Sequence, residues 1–278
     1  MIKRFVFAVS LAIAAIAGLP AAASALPISR NTETVPGVQG AQTEIPVTCP
    51  KGFNFVSGGW SASDEAGADG VGIVEALWDG KRTWTITVMR TTNSITSRDV
   101  TALARCGERA PKLRIKKAKK TASSAAPDGS MRVRASCPKG QSATAGGFAQ
   151  PSLGADFQGG GVIIENQRIG TRAWSVKATA FQSAGTLRSQ AYCVEDRGTR
   201  FTSRTEFLPG SVGSSTTSTA RRCGGEARAG GWTIQFENSG SFDPLVHRFA
   251  PLDKGWSTAV TDLQGAEDGS LTSFGYCP

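Results

Sequence analysis

The side chains able to do covalent or metal chemistry are few and poorly placed for it. His247 is the only histidine, and no Ser or Cys recurs beside it, so a nucleophile activated by a neighbouring base would have to be assembled within one stretch of chain. The six cysteines are Cys49, Cys106, Cys137, Cys193, Cys223 and Cys277. None lies within about thirty positions of another, whereas a zinc site draws its ligands from close in sequence. Asp64, Glu65 and Asp69 occupy a Gly-rich stretch but lack the alternating oxygen-ligand spacing of a calcium loop, and a solvated turn is the simpler expectation. Any two of the 22 acids could meet as a glycosidase pair, yet nothing singles out such a pair. The expectation is a protein that is not an enzyme and that carries no metal and no cofactor.

Residues suited to binding are easier to find. Lys112, Arg114, Lys116, Lys117, Lys119 and Lys120 form the densest run of charge, interrupted by Leu113, Ile115 and Ala118. Such a run can grip anionic polysaccharide, lipid headgroups or nucleic acid by counterion release. It also falls where an edge strand is expected, and lysines on an edge block strand-to-strand aggregation. No motif specifies nucleic acid. Trp78, in Leu77-Trp78-Asp79-Gly80, is the best single candidate for an exposed surface that stacks on a sugar ring or a partner protein; local packing against the turn explains it equally well.

What must position these residues is a repeated element. The cysteines fall into three pairs of nearly constant separation, roughly 55 positions, and equivalent first members recur about every 87 residues. The surroundings repeat with them. Cys49-Pro50-Lys51-Gly52 is matched by Cys137-Pro138-Lys139-Gly140 and more loosely by Cys223-Gly224-Gly225. Gly58-Gly59-Trp60, Gly146-Gly147-Phe148 and Gly230-Gly231-Trp232 follow, and then Trp84, Trp174 and Trp256 each open an alternating run. Alternation of Trp with β-branched or small apolar residues marks a half-buried strand whose tryptophan faces inward. The doubled glycines predict a bulge or a close backbone approach, because glycine otherwise only weakens a strand.

Recurrence also selects the disulfides. It pairs Cys49 with Cys106, Cys137 with Cys193 and Cys223 with Cys277 out of the many connectivities that six cysteines allow. At equal distances before the repeated tryptophans stand Glu75, Glu165 and His247, and nearer to them Arg82, Arg172 and Lys254. Superposed copies would show an acid or His and a base at three equivalent surface places. These residues serve either a threefold display of weak polar sites or a cross-strand ion pair closing each hairpin.

The N-terminus reads as a secretory leader. Lys3 and Arg4 precede an apolar run from Phe5 to Leu19, and Ala23-Ser24-Ala25 offers the small-residue pattern of a cleavage site after Ala25. The run is about fifteen residues, short of the ~20 a membrane-spanning helix needs. Without the leader the net charge of +9 falls to about +7, which favours acidic partners without specifying one. The expected organisation is a leader over 1–25 and β-repeats over 26–110, 111–197 and 198–278, in a secreted, extracellular protein without a membrane span.

With its Cys-Pro-Lys-Gly, Gly-Gly-aromatic, Trp and Tyr-x-Cys positions, the chain resembles repeat modules of exported bacterial proteins of uncharacterised function, over most of the mature sequence. In architecture alone, the copy number and strand-rich repeat are similar to the β-prism proteins, which include the vitelline membrane outer layer protein and lectins. The fold expected is all-β: three tandem disulfide-closed repeats around a pseudo-threefold axis or as three beads, the compact form being favoured by the lack of long linkers. The function expected is non-catalytic binding or surface shielding outside the cell, through weak multivalent contact with carbohydrate or an anionic cell-envelope polymer. A structural protective protein without a soluble ligand, and more remotely a carboxylate-based glycan hydrolase, are the alternatives.

Overall fold

A computed structural model describes residues 26–92, 94–108, 110–122, 129–155, 160–179, 185–195, 200–236, 244–263, 265 and 268–277. The expected leader lies outside them. Each repeat contributes six strands. The first gives β1 (Ile28–Val35), β2 (Gln42–Thr48), β3 (Asn54–Ser61), β4 (Val71–Trp78), β5 (Thr83–Arg90) and β6 (Arg98–Gly107). The second gives β7 (Arg114–Ala122), β8 (Met131–Ser136), β9 (Gln141–Ala149), β10 (Val162–Ile169), β11 (Ala173–Thr179) and β12 (Gly185–Glu195). The third gives β13 (Phe201–Leu208), β14 (Ser215–Arg221), β15 (Ala229–Phe236), β16 (Pro244–Leu252), β17 (Gly255–Asp262) and β18 (Gly269–Tyr276). Where a solvated turn was expected at Asp64, the chain instead forms the short helix α1 (Asp64–Ala68), because the Ser63 side chain caps the Ala66 N–H. No helix among the described residues is long and apolar enough to cross a membrane.

The repeats do not fold as beads. There are three six-stranded sheets, in the orders β1-β6-β3-β16-β17-β14, β2-β5-β4-β9-β12-β7 and β13-β18-β15-β10-β11-β8. Each sheet joins the first, sixth and third strands of one repeat to the fourth, fifth and second strands of another. The relation runs cyclically through all three repeats, which gives the pseudo-threefold arrangement. The join is narrow: β3 meets β16 through Ser61–Arg248 and Trp60–Phe249, and the two other joins likewise hold two register pairs each.

The disulfides form as expected, Cys49–Cys106, Cys137–Cys193 and Cys223–Cys277. In each repeat the first cysteine follows a strand of one sheet and the second lies on or just after a strand of another. Each bridge therefore ties two sheets together within its own repeat.

The paired glycines explain how the sheets approach so closely. A Cβ on Gly58 would stand 2.0 Å from the Trp84 ring, and those on Gly146 and Gly230 would meet Trp174 at 2.2 Å and Trp256 at 2.1 Å. The first glycine of each pair is thus the seat of its own repeat's tryptophan. The second glycine lies at the join, where a Cβ on Gly59 would meet Phe249 O and one on Gly147 would meet Ala76 O. Of the two outcomes expected for these glycines, close approach is realised in all three copies, and a bulge stands just before the pair in the first two. Bulges fall on β3 between Phe55 and Ser57 and on β9 between Ala143 and Ala145, and on the fourth strands between Ile73 and Glu75, Ile163 and Glu165, and Val246 and Arg248.

Candidate functional site

The three joins bring the aromatics that follow the glycine pairs to one place. Trp60, Phe148 and Trp232, one from each repeat, contact one another edge to face with centroids 5.5–6.3 Å apart. That is the favoured geometry for aromatic pairs. Phe249 packs against both Trp60 and Trp232. This cluster borders a cavity of about 300 Å³. Its walls come from the fourth strands of all three repeats, through Ile73, Val74, Val162, Ile163, Leu245 and Val246, with Met89 and Leu153 adding apolar surface. Each of those fourth strands carries a bulge, and a bulge re-aims the side chains beside it.

Few polar groups reach the cavity. Trp60 Nε1 donates to Val246 O at 2.9 Å, while the indole N–H of Trp232, also in the lining, is buried with no acceptor. The Trp78, Trp84 and Trp256 indoles also lack acceptors but do not line the cavity. Gln150 accepts from Gly161 N at 2.6 Å through Oε1, which leaves its amide NH₂ as a second donor in the lining. Among the described residues that line the cavity none is ionisable. The described lining can bury an apolar body beside the polar side chains of Gln150 and Thr91.

The residues singled out from sequence fare differently. Trp78 is not an exposed stacking surface. It is 5% exposed, stacked on Phe55 with centroids 5.3 Å apart and edge-on to Tyr192 at 5.4 Å. The burying partner Tyr192 belongs to the next repeat, and its hydroxyl accepts the Trp78 N–H at 2.9 Å. Burial pushes the Tyr192 phenol far above its ordinary range, the Trp78 N–H opposing that shift and the Glu75 charge adding to it.

Arg82 and Arg172 lie at the far end of their hairpins from Glu75 and Glu165, so no hairpin ion pair forms. Their side chains reach Cys49 O and Cys137 O. The main-chain oxygens of Arg82, Arg172 and Lys254 accept the N–H of the first cysteine in each repeat, at 3.0, 2.7 and 3.3 Å. The recurrence of these three thus serves the backbone around each bridge. Glu75 is half-buried, its carboxyl pushed above its ordinary pKa by burial and by Glu44. Glu165 is buried and paired with Arg132 at 2.7 Å. His247 is buried against Thr261 and is not the counterpart of the two glutamates. It is the extra residue of the β16 bulge, and Arg248 takes the equivalent register position.

From Arg114 onward the basic run lies on β7, an edge strand of its sheet. Lys112, Arg114, Lys116, Lys117 and Lys119 are exposed, and Lys119 faces exposed Arg188 on β12; the Lys120 side chain lies outside the described residues. Among the described residues no three of His, Cys, Asp and Glu gather as metal ligands do.

Sequence reading missed the cavity and its lining. The one available signal was the aromatic after each glycine pair, but recurrence alone does not say that the three rings converge. No protein-family profile matches the chain, and no curated protein matches it in sequence.

Proposed function

We propose that this is an exported, non-catalytic binding protein that holds a small apolar molecule bearing a hydrogen-bond acceptor in the axial cavity. The observation that carries the reading is the cavity of about 300 Å³ walled by all three repeats, with the Trp232 ring, whose N–H is buried and unsatisfied, in its lining. A buried donor without a partner costs about 1–3 kcal/mol, which a ligand oxygen would recover. The volume is at the lower end of small-ligand pockets, and an apolar lining with few fixed polar groups is their usual composition. Three disulfides suit an oxidising compartment outside the cytosol. Calorimetric titration with acetophenone tests the reading. Binding that is abolished by the cavity-filling Ile163→Trp in a folded variant supports it, and equal heats for both proteins overturn it.

A second reading rests on β7. Four exposed cations there, Lys112 just before them and Arg188 beside them, with no acid in the β7–β12 register, favour an anionic cell-envelope polymer. Carbohydrate bound by stacking has less support, because all six tryptophans are buried. Retention on heparin at low salt that is lost in Lys116→Glu/Lys119→Glu supports the anionic reading. Retention unchanged by those substitutions removes it.

A further inference from the structure

The first described residue makes an unusual contact. The backbone nitrogen of Leu26 lies 2.9 Å from Glu226 Oε1 and 2.8 Å from Glu226 Oε2. A peptide N–H has one hydrogen and cannot serve two carboxylate oxygens well, whereas an ammonium has three donors and a charge to match. This nitrogen is the one that cleavage after Ala25 would free. The neighbourhood holds the segment in place: Pro27 O accepts the Cys106 N–H at 2.9 Å, and the Leu26 side chain packs where Gly107 leaves room, since a Cβ there would stand 3.2 Å from Leu26 Cδ2.

The contact joins the first repeat to the third. Two of the three joins between repeats are also linked by the continuing chain; the β3–β16 join is not, and it is the one that closes the ring. Arg105 spans the same join, donating to Ala227 O and to Leu252 O, the latter at 3.0 Å. The Glu226 and Asp253 carboxylates both act on the Arg105 charge here. The α-ammonium would be a second cation beside them.

We propose that cleavage of the Ala25–Leu26 bond creates a structural ion pair, the Leu26 ammonium on the Glu226 carboxylate, that locks the closing join of the ring. This rests on the export reading above. In the hydrolysis, water supplies the hydroxyl that ends the leader at the Ala25 carboxylate. The Leu26 nitrogen takes up protons to become the ammonium. While the leader is attached that nitrogen is an uncharged amide with one donor, so the lock forms only on maturation.

The test uses the whole mature chain, 26–278, released by a tag protease to begin at Leu26, alongside N-terminal sequencing of the protein exported by cells. Reductive methylation at pH 8 is expected to label the Leu26 amine about tenfold more slowly than in Glu226→Gln, because a neighbouring carboxylate holds the amine charged. Acetylation of Leu26 and Glu226→Gln should each lower the thermal midpoint, and the two together should lower it little further, because they remove the same pair. Equal labelling rates with and without Glu226, or fully additive midpoint losses, overturn the lock whatever the export result. An exported first residue other than Leu26 overturns the maturation step, and a leader retained on the cell-derived protein overturns the export reading itself.

Discussion

Tyr192 Oη accepts the main-chain N–H of Trp78 at 2.9 Å, across the join between the second repeat and the first. Tyr276, the only other tyrosine, does the same for Arg168 at 2.8 Å, with the Arg168 guanidinium over its ring. Both N–H groups lie just past the two-pair join, where the fourth strand loses its neighbour, and the phenol replaces the missing ladder partner. At the third join the register position of Trp78 and Arg168 is filled by Pro251, which has no N–H to donate. There the residue before the second cysteine is Arg105 instead of Tyr, a donor that bonds carbonyl oxygens. Donor and acceptor have exchanged places together.

Tyr192→Phe should keep the ring packing and leave the Trp78 N–H buried without an acceptor. The expected loss is about 1–3 kcal/mol in urea unfolding. A loss below about 0.5 kcal/mol would show that the hydroxyl does not hold the join.

Gly146→Ala places a methyl 2.2 Å from the Trp174 ring and should destabilise the fold by about 1–3 kcal/mol or more. Combined with Trp174→Ala, which alone should cost about 3–5 kcal/mol, the added cost of the alanine should largely vanish. Strict additivity in this cycle would mean that the glycine is not there to seat the tryptophan.

Much of this was legible in the residues. Recurrence of the cysteines, the glycine pairs and Trp84, Trp174 and Trp256 fixed the strand-rich repeats, the bridges and the inward tryptophans. The exchange of half-sheets was not legible, because each join uses only two residue pairs and leaves the repeat pattern the same as in separate beads. Trp78 was misplaced for that reason: of the two rings that bury it, Phe55 and Tyr192, the second comes from another repeat. Counting back from Trp256 landed on His247 because the third hairpin turn is one residue shorter, a change that moves the register without disturbing the pattern around it.

Glu75 gives the pH dependence a sign. Its carboxyl titrates above the ordinary value of 4.5 in the folded protein, through burial and Glu44, so the folded state holds this proton more tightly than the unfolded chain does. Its contribution is present below pH 4.5 and is lost as pH rises through the folded value. Stability measured by urea unfolding from pH 4 upward should therefore fall more in the wild type than in Glu75→Gln. A parallel pair of curves would contradict the shift.

Each bridge closes a loop of roughly 55 residues and should contribute about 4 kcal/mol on the chain-entropy account. Replacing Cys137 and Cys193 together by Ser should lower stability by that order and weaken the Cys49–Cys106 repeat as well, since its fourth strand pairs with β9. Loss of exchange protection confined to residues 114–195 would show the repeats to be independent.

The most direct test of the binding claim is the indole N–H resonance of Trp232, assigned by Trp232→Phe and followed in a ¹H–¹⁵N spectrum as acetophenone is added. A saturable downfield shift of that resonance, while the Trp84 indole stays in place, is the predicted result. An unmoved Trp232 resonance at saturating ligand would contradict an axial site that satisfies its buried donor.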